Sequence, residues 1–150
     1  MSDPVVPGHL PKPGPEYLAM QVAQSAWPRI RLWVRPEYAG RDPGQLVHLA
    51  LLAAARRRLG AERWRIPNEV GERVPDALWE RGNGVWAVEV DRSYPREKVE
   101  RKVRAYLRYA GQVWVVPSRK RAVLVRELAF PHPVETLVLR VADLVSGVMG

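Results

Sequence analysis

The chain contains no cysteine. That absence removes disulfide frameworks, cysteine-ligated zinc and thiol nucleophiles from the possible chemistries. Histidine is almost as scarce: His9, His48 and His132 stand far apart, with no metal-ligand spacing between them. No apolar run approaches the roughly 18 residues that span a bilayer, so no membrane partner is expected. The opening stretch, MSDPVVPGHLPKPGP, lacks a basic segment followed by an apolar one and does not read as a secretory signal. Taken with the missing cysteine, this predicts a cytoplasmic protein. The phosphate-cradling G-x-x-x-x-G-K, dinucleotide-binding G-x-G-x-x-G and nucleophile-elbow G-x-S-x-G patterns are missing too.

Lysine is sparse as well: Lys12, Lys98, Lys102 and Lys120 are the only four among 24 basic residues. Arginine therefore dominates a net charge of +8. Its guanidinium suits bidentate phosphate contacts, although arginine also accumulates in proteins of GC-rich genomes. The position of the charge says more than its amount. Residues 96–126 hold ten basic and two acidic side chains (Glu97 and Glu100), and the rest of the chain is neutral in sum. A surplus confined to one region is the footprint expected for a polyanion; the plainer alternative is a solvated, arginine-rich helix face.

At 150 residues the chain has the size of one domain with one core. Residues 1–15 contain five prolines and predict an extended or disordered arm. Residues 16–44 add three more, with the apolar pieces Tyr17–Val22 and Ile30–Val34 able to dock on the body. The expected organisation is a Pro-rich arm over 1–44, an α/β domain over 45–145 and a tail over 146–150. A helix is predicted over 45–59, with Asp42 as N-cap, Pro43 in the first turn and Gly60 at C′. Leu46, Leu49, Ala50, Ala53 and Leu59 would form its buried stripe, and His48 would be a core or edge histidine. Val74–Trp79 and Val85–Asp91 read as strands joined by the hairpin signal Arg81-Gly82-Asn83-Gly84. Val85, Ala87, Glu89 and Asp91 then share one face.

Val99, Val103, Tyr106 and Ala110 recur at helical spacing and predict a helix over 96–110, capped by Ser93 and ended by Gly111. Its outer face carries Arg96, Lys98, Arg101, Lys102, Arg104 and Arg108. Gln112–Val116 follows as a strand, so strand, helix and strand form a crossover with parallel strands. Ser118–Arg121 is a basic turn, Ala122–Leu128 a strand or a helix, and Val134–Val141 a closing strand. The tryptophans (27, 33, 64, 79, 86, 114) read mainly as core, with Trp33 or Trp79 available to stack on single-stranded bases.

Asp76 opens the first hairpin strand, and Glu89 follows 13 residues later in the second, with Asp91 on its face. Two carboxylates converging from adjacent strands are what a magnesium or manganese ion needs to polarise a phosphodiester and activate a water. A neighbouring basic side chain normally helps; Lys98 and Lys102, one helical turn apart, are the candidates, unless the helix register aims both at solvent. The alternative is that Asp76 caps a turn and the other two face solvent. Burial of an unpaired Glu in so apolar a strand would be costly, so Glu89 needs a partner, a metal or an opening to water.

Helix, hairpin, helix, strand resembles the core of the PD-(D/E)XK nucleases: an α/β (mixed α+β), restriction-endonuclease-like fold with a mixed central sheet flanked by helices. One departure is Asp91, where those nucleases have Lys. From about Gln45 to Val116 the chain also resembles the replication-relaxation family of plasmid and mobile-element proteins. The resembling residues are Arg63-Trp64, Glu69, Val74-Pro75-Asp76-Ala77-Leu78 and Trp86-Ala87-Val88-Glu89-Val90-Asp91-Arg92-Ser93, with the basic helix Lys98 to Tyr109. The resemblance implies a role in plasmid replication or DNA relaxation, Asp91 as that family's own third residue, and Glu69 as a fourth acidic ligand. It also implies a possible homodimer, since many nucleases of this fold act as dimers.

Three functions follow as expectations. The first is a DNA-binding protein using Arg92, Arg96, Lys98, Arg101, Lys102, Arg119, Lys120 and Arg121 against phosphates, with strongly salt-dependent affinity. The second is a metal-dependent endonuclease or nickase, with Glu69, Asp76, Glu89 and Asp91 on the metal and Lys98 or Lys102 assisting. The third is a protein-interaction module that uses the Pro-rich arm.

Overall fold

A computed structural model describes residues 3–22 and 29–146, with side chains over 3–18 and 29–145. Trp27 and the tail beyond Ser146 lie outside the described residues. In chain order the strands are β1 (Val5–Pro7), β2 (Leu18–Val22), β3 (Arg31–Val34), β4 (Trp64–Arg65), β5 (Ala77–Arg81), β6 (Gly84–Val90), β7 (Gly111–Val116) and β8 (Val134–Val138). The helices are α1 (Pro43–Leu59), α2 (Arg96–Ala105), α3 (Arg119–Ala129) and α4 (Val141–Ser146). The class is mixed α/β. Among the described residues no helix is long and apolar enough to cross a membrane.

The described residues fall into two compact units. One comprises those up to Leu59 with those from Arg140; the other is Gly60–Leu139. The first unit holds a three-stranded antiparallel sheet, in the order β1-β3-β2. So the proline-rich start is not all extended arm: Val5–Pro7 pairs with Leu32–Val34. Proline is tolerated there because β1 is an edge strand and Pro7 its last residue. Asp3 ties this segment to α1 by ion pairs to Arg56 (3.1 Å) and Arg57 (3.3 Å), and the Tyr17 hydroxyl donates to the Asp3 carbonyl. Trp33 donates its indole N–H to the Leu10 carbonyl at 2.9 Å.

Helix α1 begins as its sequence suggests. The Asp42 carboxylate accepts the Gly44 amide at 2.9 Å, Pro43 is the first helical residue, and Gly60 takes a left-handed φ of 64° beyond the last turn. Its buried surface is wider than one stripe: Val47, Leu51, Leu52, Ala54 and Ala55 are buried along with Leu46, Ala50 and Ala53. Leu49, Leu59 and His48 are only half-buried.

The second unit is a five-stranded mixed sheet in the order β4-β5-β6-β7-β8. β4, β5 and β6 are antiparallel in succession; β7 and β8 run parallel to β6. The β5–β6 hairpin turns through Gly82-Asn83, and α2 is the crossover to parallel β7. One face of the sheet receives both α2 and α3. Their core is Ala87, Trp114 and Val116 from the strands, Val99, Val103 and Tyr106 from the α2 segment, and Ala122, Val125 and Ala129 from α3. Both ends of the buried Gln112 amide are engaged: it donates to the Val103 carbonyl (3.0 Å) and accepts the Trp114 indole N–H (2.9 Å).

Three local details differ from the sequence expectation. Ser93 does not cap α2: it sits at φ 68°, and Pro95 is the N-cap without a side-chain bond. The Asp91 carboxylate instead accepts the Tyr94 amide at 2.8 Å and turns the chain before the helix. The α-helix ends at Ala105, tightening into a 3-10 turn over Tyr106–Arg108. Of the two alternatives for 122–128 the helix is the one formed, but it starts at Arg119, within the expected turn, and is capped by Ser118, whose hydroxyl accepts the Arg121 amide at 3.3 Å.

Candidate functional site

The hairpin register decides which carboxylates meet. Ala77 pairs with Val88, and one step further brings Asp76 level with Glu89 on the helix-covered face. Asp76 is half-buried, and its Oδ2 accepts the Val90 amide at 2.8 Å. Glu89 is 1% exposed. A carboxylate this deep must be paired or protonated, and three side chains serve it. Tyr106 donates its hydroxyl to Oε1 at 2.7 Å; Lys102 places Nζ 3.2 Å from Oε2; the Tyr94 hydroxyl donates to Oε2 at 3.3 Å. Lys102 thus points inward, onto the cluster. Its ammonium also donates to the Glu72 carbonyl at 3.4 Å and lies near the rings of Tyr94 and Tyr106.

Burial, and then the neighbouring charge of Asp76, push the Glu89 carboxyl up to about 7, against the opposing pull of Lys102 and Tyr106. The hydroxyls of Tyr94 and Tyr106 are raised, first by burial and then by Glu89, and stay neutral donors. The cluster is thus a proton-poised carboxyl held by a lysine and two phenols beside a half-buried aspartate.

The other predicted residues lie elsewhere. Asp91 has its own partner: Oδ2 meets Arg121 Nε at 2.8 Å, while Arg121 Nη2 donates to the Tyr94 carbonyl at 2.7 Å. Both Asp91 oxygens are therefore engaged, and Arg121 is turned to this pair rather than outward with Arg119 and Lys120. Glu69 is exposed in the segment before the hairpin. Lys98 is half-buried, its ammonium 4.1 Å from the Tyr94 ring centroid. Arg92, Arg96, Arg101, Arg119 and Lys120 are exposed. Trp79 is half-buried, with the Arg81 guanidinium 4.3 Å from its ring centroid.

Magnesium or manganese, implied by the nuclease resemblance, does not fit this arrangement. Glu89 already receives three donors, Asp76 Oδ2 is engaged by an amide, and the Lys102 ammonium stands 3.2 Å from Glu89 Oε2. Among the described residues no group of three or more His, Asp or Glu side chains is suitably gathered for a metal ion.

Tyr94 and Tyr106 were not among the candidate residues from sequence. Tyr106 carries a legible signal nonetheless: a tyrosine on a buried stripe needs a partner for its hydroxyl, and an apolar strand with one glutamate offers that partner. Glu72, Arg73 and Arg104 line a cleft of about 330 Å³ with Arg101 and Ala105; nothing periodic marks Glu72 or Arg73. In comparisons with known proteins, no family model, no curated protein and no solved structure matches the chain.

Proposed function

We propose that this protein binds nucleic acid along the sugar–phosphate backbone, DNA first, through the outer face of α2 and the first turn of α3. We further propose that the unit carrying them is PD-(D/E)XK nuclease-like, with its acidic cluster closed rather than poised for cleavage. The observation that carries the reading is an adjacency. α2 and α3 pack side by side on one face of the sheet, and with the turn after α2 they expose Arg96, Arg101, Arg104, Arg108, Arg119 and Lys120.

Helix polarity supports it. Arg119 and Lys120 stand at the positive end of the α3 dipole, where cations are disfavoured unless an anion is near. The nuclease-like reading is supported by an antiparallel hairpin that leads into a parallel crossover. It is supported too by Asp76 and Glu89 at the hairpin's end, and by a lysine delivered from the crossover helix. Plasmid or mobile-element DNA processing is the setting that the sequence resemblance suggests for such a protein.

The test is fluorescence anisotropy with duplex DNA, single-stranded DNA and RNA across a salt series. Binding should weaken steeply with salt and vary little with sequence. Arg96→Gln, Arg104→Gln and Arg119→Gln should each lower the salt slope by about 1. No binding at low salt would sink the proposal. Nicking of supercoiled plasmid that requires magnesium or manganese, and that is lost in Asp76→Ala and Glu89→Ala, would replace it with an active nuclease.

A further inference from the structure

The loop Gly71–Pro75 roofs the buried cluster, and side chains of the α2 segment hold it there. Two successive carbonyls are engaged, and a third lies close to an α2-segment hydroxyl. Glu72 O accepts from Lys102 at 3.4 Å, Arg73 O from Arg108 at 2.7 Å, and Val74 O lies 3.3 Å from the Tyr106 hydroxyl. Lys102 and Tyr106 are the same groups that hold Glu89. The outermost tie is different: Arg101 Nε and Nη2 each approach Glu72 Oε1 at 2.9 Å, and both side chains are about half exposed. The cleft is lined by Arg73, Arg101 and Arg104 with Glu72 and Ala105; Arg101 is paired with Glu72, and Arg104 with Glu100 at 2.7 Å. The two-armed contact of Arg101 on a carboxylate oxygen, in a cleft lined by two further arginines, is one that a tetrahedral oxyanion can also accept.

Resting on the reading that this face meets nucleic-acid phosphates, we propose that the cleft is a phosphate site whose resident anion is the Glu72 carboxylate. A phosphate that displaces Glu72 from Arg101 removes the outermost tie on the loop above Asp76, Glu89 and Lys102. The outermost tie of the roof and the contact that binds the backbone then share Arg101, and phosphate binding loosens the roof.

Amide hydrogen exchange over residues 71–76 of the full chain tests this. Inorganic phosphate and a duplex oligonucleotide are the probes, with chloride holding ionic strength constant. Both should accelerate exchange over the loop saturably. Glu72→Gln should exchange fast without either anion and bind phosphate several-fold more tightly. Arg101→Gln should exchange fast and ignore phosphate. Phosphate binding no tighter in Glu72→Gln, or saturable binding with the loop unchanged, overturns the proposal. Duplex binding that depends on Arg119 while the loop stays protected overturns it and leaves the nucleic-acid reading standing. A loop response to inorganic phosphate with no duplex binding supports the site, assigns it to free phosphate and sinks the nucleic-acid reading.

Discussion

The Lys102 ammonium stands 3.2 Å from Glu89 Oε2, and the two side chains are 7% and 1% exposed. A buried ion pair adds little net stability by itself, because desolvating both charges offsets their attraction. Removing one partner is another matter, since it strands the other charge. Lys102→Met should therefore destabilise the protein by about 3 kcal/mol in mildly alkaline buffer. Glu89→Gln should cost less, because an amide oxygen still accepts the Tyr106 proton. The double variant should be more stable than the two losses added together. Urea unfolding of the four proteins is the measurement. A Lys102→Met variant as stable as the parent would mean that the pair does not form.

The same carboxyl sets a pH dependence. Glu89 rises from an ordinary 4.5 to about 7 in the folded chain, through burial and the charge of Asp76. Between these values the folded state holds a proton that the unfolded state has released. Stability from this group is thus complete below about pH 4.5 and is lost as pH rises through about 7. At about 1.4 kcal/mol per unit the loss is on the order of 3 kcal/mol. Other acids, such as Glu72, held low by its bond to Arg101, slope the opposite way, so the informative quantity is the difference between wild type and Glu89→Gln. That difference should change across the window; a pH-independent difference would refute the raised carboxyl.

Why part of this was legible follows from what local pattern specifies. A two-residue turn and a period of two determine hairpin register, so the spacing of Asp76 and Glu89 across the turn is enough to bring the two carboxylates together from adjacent strands. A helical period identifies which residues share a face but not how far that face is rotated, so Lys102 stood as one of two outcomes, cluster or solvent. Asp91 shares the parity of Glu89, yet its partner Arg121 lies 30 residues further on, in a segment readable as strand or helix. The N-terminal sheet was hidden because proline density reads as disorder until the edge position of β1 is known. Glu72 lies in a loop without any period.

Asp91 and Arg121 make a second buried test. Asp91 has a side-chain exposure of 0%, and Arg121 joins it while also bonding the Tyr94 carbonyl. Arg121→Met should destabilise by about 3 kcal/mol, as expected when a buried carboxylate loses its partner. Lysine should rescue little, because a single ammonium cannot reproduce the two-armed contact. Arg119→Met, two positions earlier and exposed, should leave stability within about 0.5 kcal/mol while weakening nucleic-acid binding. Thermal melts and anisotropy on the same samples separate the two roles. Equal stability losses in both would contradict the division.

Gly111 and Gly82 differ in what stands over them. The Trp86 ring covers the Gly111 backbone so closely that an added Cβ would lie 2.6 Å from three ring carbons. Nothing lies within 4 Å of the corresponding position at Gly82. Trp86 is itself fixed: its indole N–H donates to Asn83 Oδ1 at 2.9 Å, and its ring centroid lies 4.4 Å from the Arg81 guanidinium. The ring cannot swing aside without breaking both contacts. Gly111→Ala should therefore cost about 1–3 kcal/mol, the usual range for overpacking. Gly82→Ala should be neutral or slightly stabilising, through the lower entropy of the unfolded chain. Both are measured by urea unfolding, with tryptophan fluorescence reporting the ring. If Gly111→Ala is silent, β7 does not pass beneath Trp86, and the parallel pairing of β6 with β7, which brings α2 over Glu89, is wrong at its first step.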